Sequence, residues 1–218
     1  YDQKYLLTVN MRYDGSSRFK VNTYGFFPGV SAGWNLHQEN FFEKSALSRF
    51  ISTLKPRVSY GENGSLTFLG TDIAGTNYYP TSQVYGSGSV YNGSSSYYVG
   101  SLTNSALKWE TSTTLNMGLD LGVFNDRLSL IGDYFIRNVY DKLATLSIPA
   151  WTGFSTYTTN LGQLQNRGVE LELKARIIQP HSADGLGWNF SINMSTAKSY
   201  VIKLPPNGLP GNRESASS

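Results

Sequence analysis

The sequence predicts an all-β chain: an antiparallel transmembrane β-barrel, present as a segment of about seven strands with long extracellular loops and short periplasmic turns. Three observations carry that expectation. Apolar and polar residues alternate with a period of two, as in "WETSTTLNMGLDLGVFNDRLSLIGDYFIR" from Trp109 to Arg137, which marks strands with one dry and one wet face. Aromatic residues gather at the ends of these segments. The connections between them are long at one rim and short at the other, as in outer-membrane barrels.

Seven segments follow the pattern, at 4–13, 24–34, 53–61, 109–121, 127–137, 168–178 and 188–197. The first turns Tyr5, Leu7, Val9, Met11 and Tyr13 to one side, and the second Tyr24, Phe26, Pro28, Val30, Ala32 and Trp34. Later segments place Leu115, Met117, Leu119, Leu130, Val169, Leu171 and Leu173 on that same dry side. No residue of the dry set is charged, and it is read as lipid-facing. The opposite set holds Arg12, Arg57, Glu110, Asp133, Arg137, Glu170 and Glu172 and is read as lumen-facing. Most segments reach ten residues or more, near the ~9–11 needed to cross a bilayer at a tilt.

The dry set alone does not separate lipid from the interior of a β-sandwich. Tyr13, Tyr24, Tyr60 and Trp109 fall at one rim, and Tyr5, Trp34, Phe124 and Trp188 at the other, where two interfacial aromatic girdles belong. Residues 62–108 and 138–167 form long connections at the first rim; "GVFND" and "QPHSADGLG" are short ones at the second. Within 35–52, Phe42, Ala46, Leu47, Phe50 and Ile51 make one helical stripe. Asn40 with Glu43 predicts a capping box on a short helix there. Seven strands leave two free edges, so the chain is expected to be the middle part of a barrel.

Composition narrows the function classes. Charged residues are 15% and aromatic residues 14%, with 15 Tyr and 22 Gly. The net charge of +3 comes with no basic cluster, which argues against nucleic acid as a partner. There is no cysteine, so no disulfide framework or thiolate metal site is on offer. His37 and His181 are the only histidines, and neither has a companion at metal-ligand spacing. No catalytic set, metal site or cofactor site is expected. Glu170 and Glu172 share a strand face, but Lys174 and Arg176 continue it, so the four read as a charge-compensated ladder.

The tyrosine-rich stretch is the stronger binding candidate. Tyr78, Tyr79, Tyr85, Tyr91, Tyr97 and Tyr98 stand among Ser, Gly and Asn, a composition that joins rigid amphipathic rings to adaptable hydrogen-bonding groups. Trp151 and Tyr157 in "SIPAWTGFSTYTTN" are of the same kind. Either stretch contacts a lid or cargo, or packs on itself.

The motifs "YDGSSRF" (13–19), "YGFFPGVSAGWN" (24–35), "KPRVSYGENG" (55–64), "LKWETSTTLNMGLDLGVFNDRLSLIGDYFIR" (107–137), "NRGVELELKARI" (166–177) and "WNFSINMSTAKSYVIKL" (188–204) together resemble the SusC/RagA family. These are TonB-dependent outer-membrane transporters of Bacteroidetes. The resemblance implies a barrel of about 22 strands filled by a plug domain, in the outer membrane of a Gram-negative bacterium. It further implies a SusD-like surface lipoprotein as lid and the TonB complex as energy source, acting through an N-terminal part this chain lacks. The cargo class implied is an oligosaccharide (glycan fragment) or a peptide. The signal peptide, plug domain and C-terminal strands of that pattern are absent from these residues, and "YGENGS" departs from the family's usual form of that turn. The alternative from another class is a surface β-sandwich adhesin that binds carbohydrate; a barrel enzyme would need a catalytic histidine that neither His37 nor His181 supplies.

Overall fold

The computed structural model describes residues 1–66, 81–83, 85–179 and 186–204. Among these, seven strands form one antiparallel sheet: β1 (Tyr5–Gly15), β2 (Tyr24–Trp34), β3 (Ile51–Ser65), β6 (Glu110–Val123), β7 (Leu128–Ser147), β8 (Thr156–Ile178) and β9 (Trp188–Lys203). They lie side by side in chain order, each bonded to the strand before and after it. β1 and β9 stand at the two ends, so the wall is not closed on itself by the described residues. Two further strands, β4 (Tyr85–Tyr91) and β5 (Ser94–Val99), form a separate hairpin.

All seven segments read from the periodicity are strands of this sheet. Two stretches expected to be loop differ. The connection after β3 carries the β4–β5 hairpin, turning at Asn92 and Gly93 with φ of 48° and 77°, where Asn-Gly suits a tight turn. The expected long loop at 138–167 is mostly strand, because β7 and β8 continue as a hairpin and leave only residues 148–155 between them. Twenty residues of β7 extend over ~66 Å, far more than a ~30 Å hydrocarbon layer takes. Along the extra length the period of two fades, while backbone pairing continues through the bulges beyond Val139.

The helix expected within 35–52 is smaller than its stripe implied. It consists of a 3-10 turn at Leu36–Gln38, one α-turn α1 at Asn40–Glu43 and a second 3-10 turn at Ala46–Arg49. The capping box does not form. Glu39, not Asn40, caps α1, and it makes no side-chain cap bond, because its carboxylate is engaged by Tyr5 and Trp34. Of the stripe, Phe42 is buried, Leu47 and Phe50 are exposed, and Ile51 already belongs to β3. His37 Nδ1 lies 3.3 Å from the Leu54 backbone nitrogen and tacks this segment to β3; His181 falls outside the described residues.

The buried cluster of the chain sits off the sheet centre, at the long-loop end. Phe19, Phe27, Leu107, Trp109 and Leu143 pack together there. The Trp109 ring lies 5.9 Å from that of Phe19 and 5.7 Å from that of Phe27 in tilted contacts. Phe27 stands on the wet side of β2, with its ring above Gly64, where a Cβ would overlap it. This corrects the expectation for Trp109: it is 8% exposed, a packing residue rather than a member of the girdle. Asn22 Nδ2 donates to the carbonyls of Ala106 and Leu107 at 3.1 Å. Glu110 is buried beside them, and its Oε1 accepts from the Leu143 amide at 2.8 Å. The cluster therefore ties the β1–β2 loop, the segment entering β6 and the extended β7–β8 hairpin into one unit.

Replacement of Trp109 by alanine removes the ring that joins these three parts, and a loss of about 3–5 kcal/mol is expected for such a truncation. The variant should still fold but lose its structure at a lower temperature than the parent, read by the unfolding midpoint.

Candidate functional site

The two faces of the sheet differ in charge along its whole width. One register row crosses all seven strands as Leu7, Ala32, Val58, Met117, Tyr134, Val169 and Thr196. Of the dry-face set, Met117, Leu119, Leu130, Val169 and Leu171 are exposed, and Leu115 and Leu173 half-buried. A sandwich would bury these side chains against a second sheet, and none of them is buried.

The wet face carries the charges. Its central row runs Arg57, Gly118, Asp133, Glu170 and Ser195. Arg57 Nε donates to Asp120 Oδ1 at 3.0 Å and its Nη2 to Asp133 Oδ2 at 2.7 Å. The second bond spans β6 entirely, from β3 to β7. Gly118 permits this, since a Cβ there would stand 2.6 Å from the Arg57 guanidinium carbon and 2.7 Å from Asp133 Oδ1. Glu170 lies opposite Asp133 and is exposed. Glu172 pairs with Lys174 at 2.8 Å, so the charge-compensated ladder is realised partly within one strand. Arg12 pairs with Asp14 at 3.0 Å and also lies 5.9 Å from the centre of the Phe27 ring. Arg137 Nε donates to Thr114 Oγ1 at 3.3 Å.

Asp120 and Gly118 are the members of this constellation that the candidate set from sequence lacks. Their alternation placed them on the wet face, but the register that sets Gly118 between Arg57 and Asp133 is a property of strand pairing.

Aromatic pairs mark both ends of the first hairpin. Tyr13 and Tyr24 stack at 5.2 Å, and Tyr5 and Trp34 at 6.3 Å. Phe124 meets Phe50 edge to face at 6.2 Å at the short-turn end. At that end Glu39 accepts from the Tyr5 hydroxyl at 2.7 Å and from Trp34 Nε1 at 3.1 Å, with Lys4 Nζ at 3.5 Å. The hydroxyl bond from Tyr5, then that from Trp34, hold the Glu39 carboxyl below the usual carboxylate range against a smaller opposing effect of burial.

The rims are not parallel to the register rows. In β1, Tyr5 lies two residues from the row member Leu7; in β9, Trp188 lies eight residues from the row member Thr196. The difference of six residues is ~20 Å along a strand, set against ~29 Å for six inter-strand steps. The rim thus runs at ~35° to the rows, and strands in outer-membrane barrels tilt by ~35–45°.

The tyrosine-rich candidates divide. Tyr78 and Tyr79 lie outside the described residues, as does the side chain of Tyr91. Tyr85, Tyr97 and Tyr98 are exposed on the β4–β5 hairpin. Tyr85 and Tyr97 share one face, by the pairing of Tyr85 with Val99 and Ser87 with Tyr97, while Tyr98 takes the other. Trp151, at the tip of the β7–β8 hairpin, is 86% exposed. Tyr157 is half-buried and bridges to Leu102, which makes it part of the support. Asn160 completes that support, with Nδ2 donating to the carbonyls of Lys108 and Asp141 at 2.9 and 2.7 Å.

Two predictions follow from the bonded groups. Exchange of Arg57 for methionine strands Asp120 and Asp133 and should cost about 1–3 kcal/mol, read as a drop in unfolding midpoint; adding Asp133→Asn should recover part of it. Glu39 has a lowered pKa, so its contact contributes at neutral pH and is lost as pH falls through that lowered value. Trp34 emission should change there, below the usual carboxylate range, and Glu39→Gln should abolish the transition.

The comparisons agree with this architecture. Residues 1–213 match the family model described as TonB dependent receptor-like, beta-barrel. The chain is 35% identical over 206 residues to TonB-dependent receptor P3 of Formosa agariphila, covering 94% of the chain and 20% of that protein. It is likewise 35% identical over 206 residues to TonB-dependent receptor SusC of Bacteroides thetaiotaomicron, covering 92% and 20%. Among solved structures it superposes on the RagAB peptide importer in the open-open state with a TM-score of 0.79 and 26% identity, covering 94% of the chain and 21% of that one. The chain spans about a fifth of the length of the relatives it matches. With its consecutive antiparallel strands, two-faced wall and tilted rims, the chain belongs to the TonB-dependent receptor-like β-barrel family, and within it is similar to SusC and RagAB.

Proposed function

We propose that this chain is the middle wall of a TonB-dependent importer of large nutrients in the outer membrane of a Gram-negative bacterium. The observation that carries the reading is the sheet's two faces: one uncharged and uncovered between tilted aromatic rims, the other charged. In this reading the uncharged face, with Leu115, Met117, Leu119, Leu130, Val169, Leu171 and Leu173, meets lipid. Arg12, Arg57, Asp133, Arg137, Glu170 and Glu172 line the lumen side, where a plug domain and passing cargo would sit, whereas Glu110 on the same side is buried against Leu143.

The wall's own part in import is mechanical. Its backbone ladder pairs N–H and C=O groups between neighbouring strands, as hydrocarbon requires, while a force transmitted by the TonB complex acts on a plug in an N-terminal part of the protein. The cross-strand bond from Arg57 to Asp133 braces the lumen side of β3, β6 and β7. No chemistry is assigned to the wall, and the protein is read as a transporter rather than an enzyme.

The β4–β5 hairpin and the β7–β8 tip offer Tyr85, Tyr97, Tyr98 and Trp151 to a partner beyond the long-loop rim. A SusD-like lipoprotein lid is the partner proposed, with an oligosaccharide or peptide as cargo; the SusC and RagAB relatives support that class. Rings standing clear of the chain bury large area at small entropic cost on contact, and the cluster around Trp109 supplies their rigid base.

The lipid assignment is tested by single charges. Leu171→Arg should abort assembly, since an arginine at mid-depth costs roughly 2–4 kcal/mol, whereas Asn116→Asp on the other face should be mild. Normal insertion of Leu171→Arg, assayed by membrane fractionation and heat-modifiable mobility, would refute it. For import, the double variant Tyr97→Ala, Trp151→Ala should assemble normally yet lower growth on a limiting glycan or peptide source at least several-fold. Unchanged growth and unchanged lid co-purification would remove these rings from the binding surface.

A further inference from the structure

The uncharged face ends in two cations toward the outer rim on the β8–β9 side. Arg167 of β8 and Lys198 of β9 both point to that face and stand directly opposite each other in the register. They occupy the row just beyond Val169 and Thr196 on the long-loop side, shared with Ile136 of β7, Leu115 of β6 and Tyr60 of β3. Like charges directly opposite in an antiparallel pair repel, and here they do so on a face whose central rows carry no charge. Among the described residues neither cation forms an ion pair. Glu62, on the same face of β3, is three strands from β8 and accepts from the Tyr60 hydroxyl at 3.2 Å.

The arginine is also pre-aimed. Its Nη2 donates to the Tyr200 hydroxyl at 2.8 Å, and its guanidinium carbon stands 4.4 Å from the Tyr200 ring centre. A ring and a hydroxyl hold the guanidinium without neutralising it, which leaves further N–H donors and full charge for an anion. Depth completes the argument. In β1 the outer aromatic Tyr13 lies six residues beyond the row of Leu7. The same tilt that displaces the inner rim by six residues brings the outer rim at β8 and β9 down to within two residues of Arg167 and Lys198. Two cations side by side at a membrane's outer interface face the phosphorylated headgroups of the outer leaflet.

The geometry points to a binding site for a phosphorylated outer-leaflet glycolipid on the outward face of β8 and β9. Arg167 and Lys198 ligate its phosphate, Tyr200 orients the guanidinium, and the acyl chains descend along Val169, Leu171, Thr196 and Met194. The site rests on the lipid-facing reading of this face. It relieves the cross-strand repulsion only when occupied, so occupancy stabilises this part of the wall.

The test uses the protein extracted from its native outer membrane, as parent and as the double variant Arg167→Gln, Lys198→Gln. Phosphorylated lipid A, the same lipid after enzymatic dephosphorylation, and inorganic phosphate are the probes. The parent should retain phosphorylated lipid through purification, seen by native mass spectrometry, and its thermal midpoint should rise with that lipid alone. The double variant should insert and import like the parent but retain at least tenfold less lipid and show no midpoint shift. Equal retention in both proteins would overturn the site. An equal shift with inorganic phosphate would make it a free-anion site instead. A double variant destabilised to the same extent without any lipid would mean that a carboxylate of a neighbouring strand is the true partner, which also overturns it. Leu171→Arg, at mid-depth, separates this from the underlying reading: normal insertion of that variant removes the lipid face and the site together, whereas failed insertion with unchanged lipid retention in the double variant removes the site alone.

Discussion

Unbroken antiparallel pairing is the constraint on which the other features rest. Because side chains alternate along a strand, a slip of one residue between any two neighbours would turn a whole set of side chains to the other face. From β3 to β9 the pairs stay in phase through the central rows, and the shifts that occur lie away from them, at Ile51, next to Ile178, and in the outer parts of β7 and β8 beyond Val139 and Leu164. The result is a wall on which Met117, Tyr134 and Val169 stand in one row while Arg57, Asp133 and Glu170 stand behind the neighbouring one. Neither face closes a core of its own, and each is suited to a different surrounding.

Stability is accordingly displaced to one end. A soluble domain buries its largest apolar side chains between layers, whereas here Phe19, Phe27, Leu107, Trp109 and Leu143 are buried at the long-loop rim. That location has a physical reason. Between the rims, apolar burial can be supplied by the surroundings of the dry face; beyond the outer rim only protein is available to cover apolar rings. The cluster thus serves as the foundation from which the tyrosine-bearing β4–β5 hairpin and the Trp151 tip project, and Asn160 and Lys108 fasten the same region by hydrogen bonds.

The charged groups follow the same division. On the wet side they compensate one another, through Arg57 with two aspartates and Lys174 with Glu172. On the dry side charge appears only toward the outer rim, at Glu62, Arg167 and Lys198, where strand tilt lifts the chain out of the uncharged band. A glycine opposite Arg57 and a tyrosine beneath Arg167 show two ways of placing a guanidinium: one clears space for a bridge across a strand, the other holds the charge ready.

Periodicity alone determined the seven sheet segments, the face that most of their side chains take, and that one face carries no charge within those segments, because alternation is a local property written in each segment. It located the stacked aromatic ends of the first hairpin for the same reason. What only the tertiary structure decided is what depends on partners distant in sequence. Trp109 has the spacing of a girdle residue, yet contact with Phe19 and Phe27 turns it inward; the helical stripe of 42–51 has the right period, yet Glu39 is taken by Tyr5 and Trp34 and the helix stops after one turn. Residues 138–147 and 156–167 lack a dry face and so lack the pattern, and they are strands because each lends the other its backbone hydrogen bonds. The opposition of Arg167 and Lys198, and the gap at Gly118, exist only once register is chosen, since pairing between strands and not the order of residues within them sets which side chains meet.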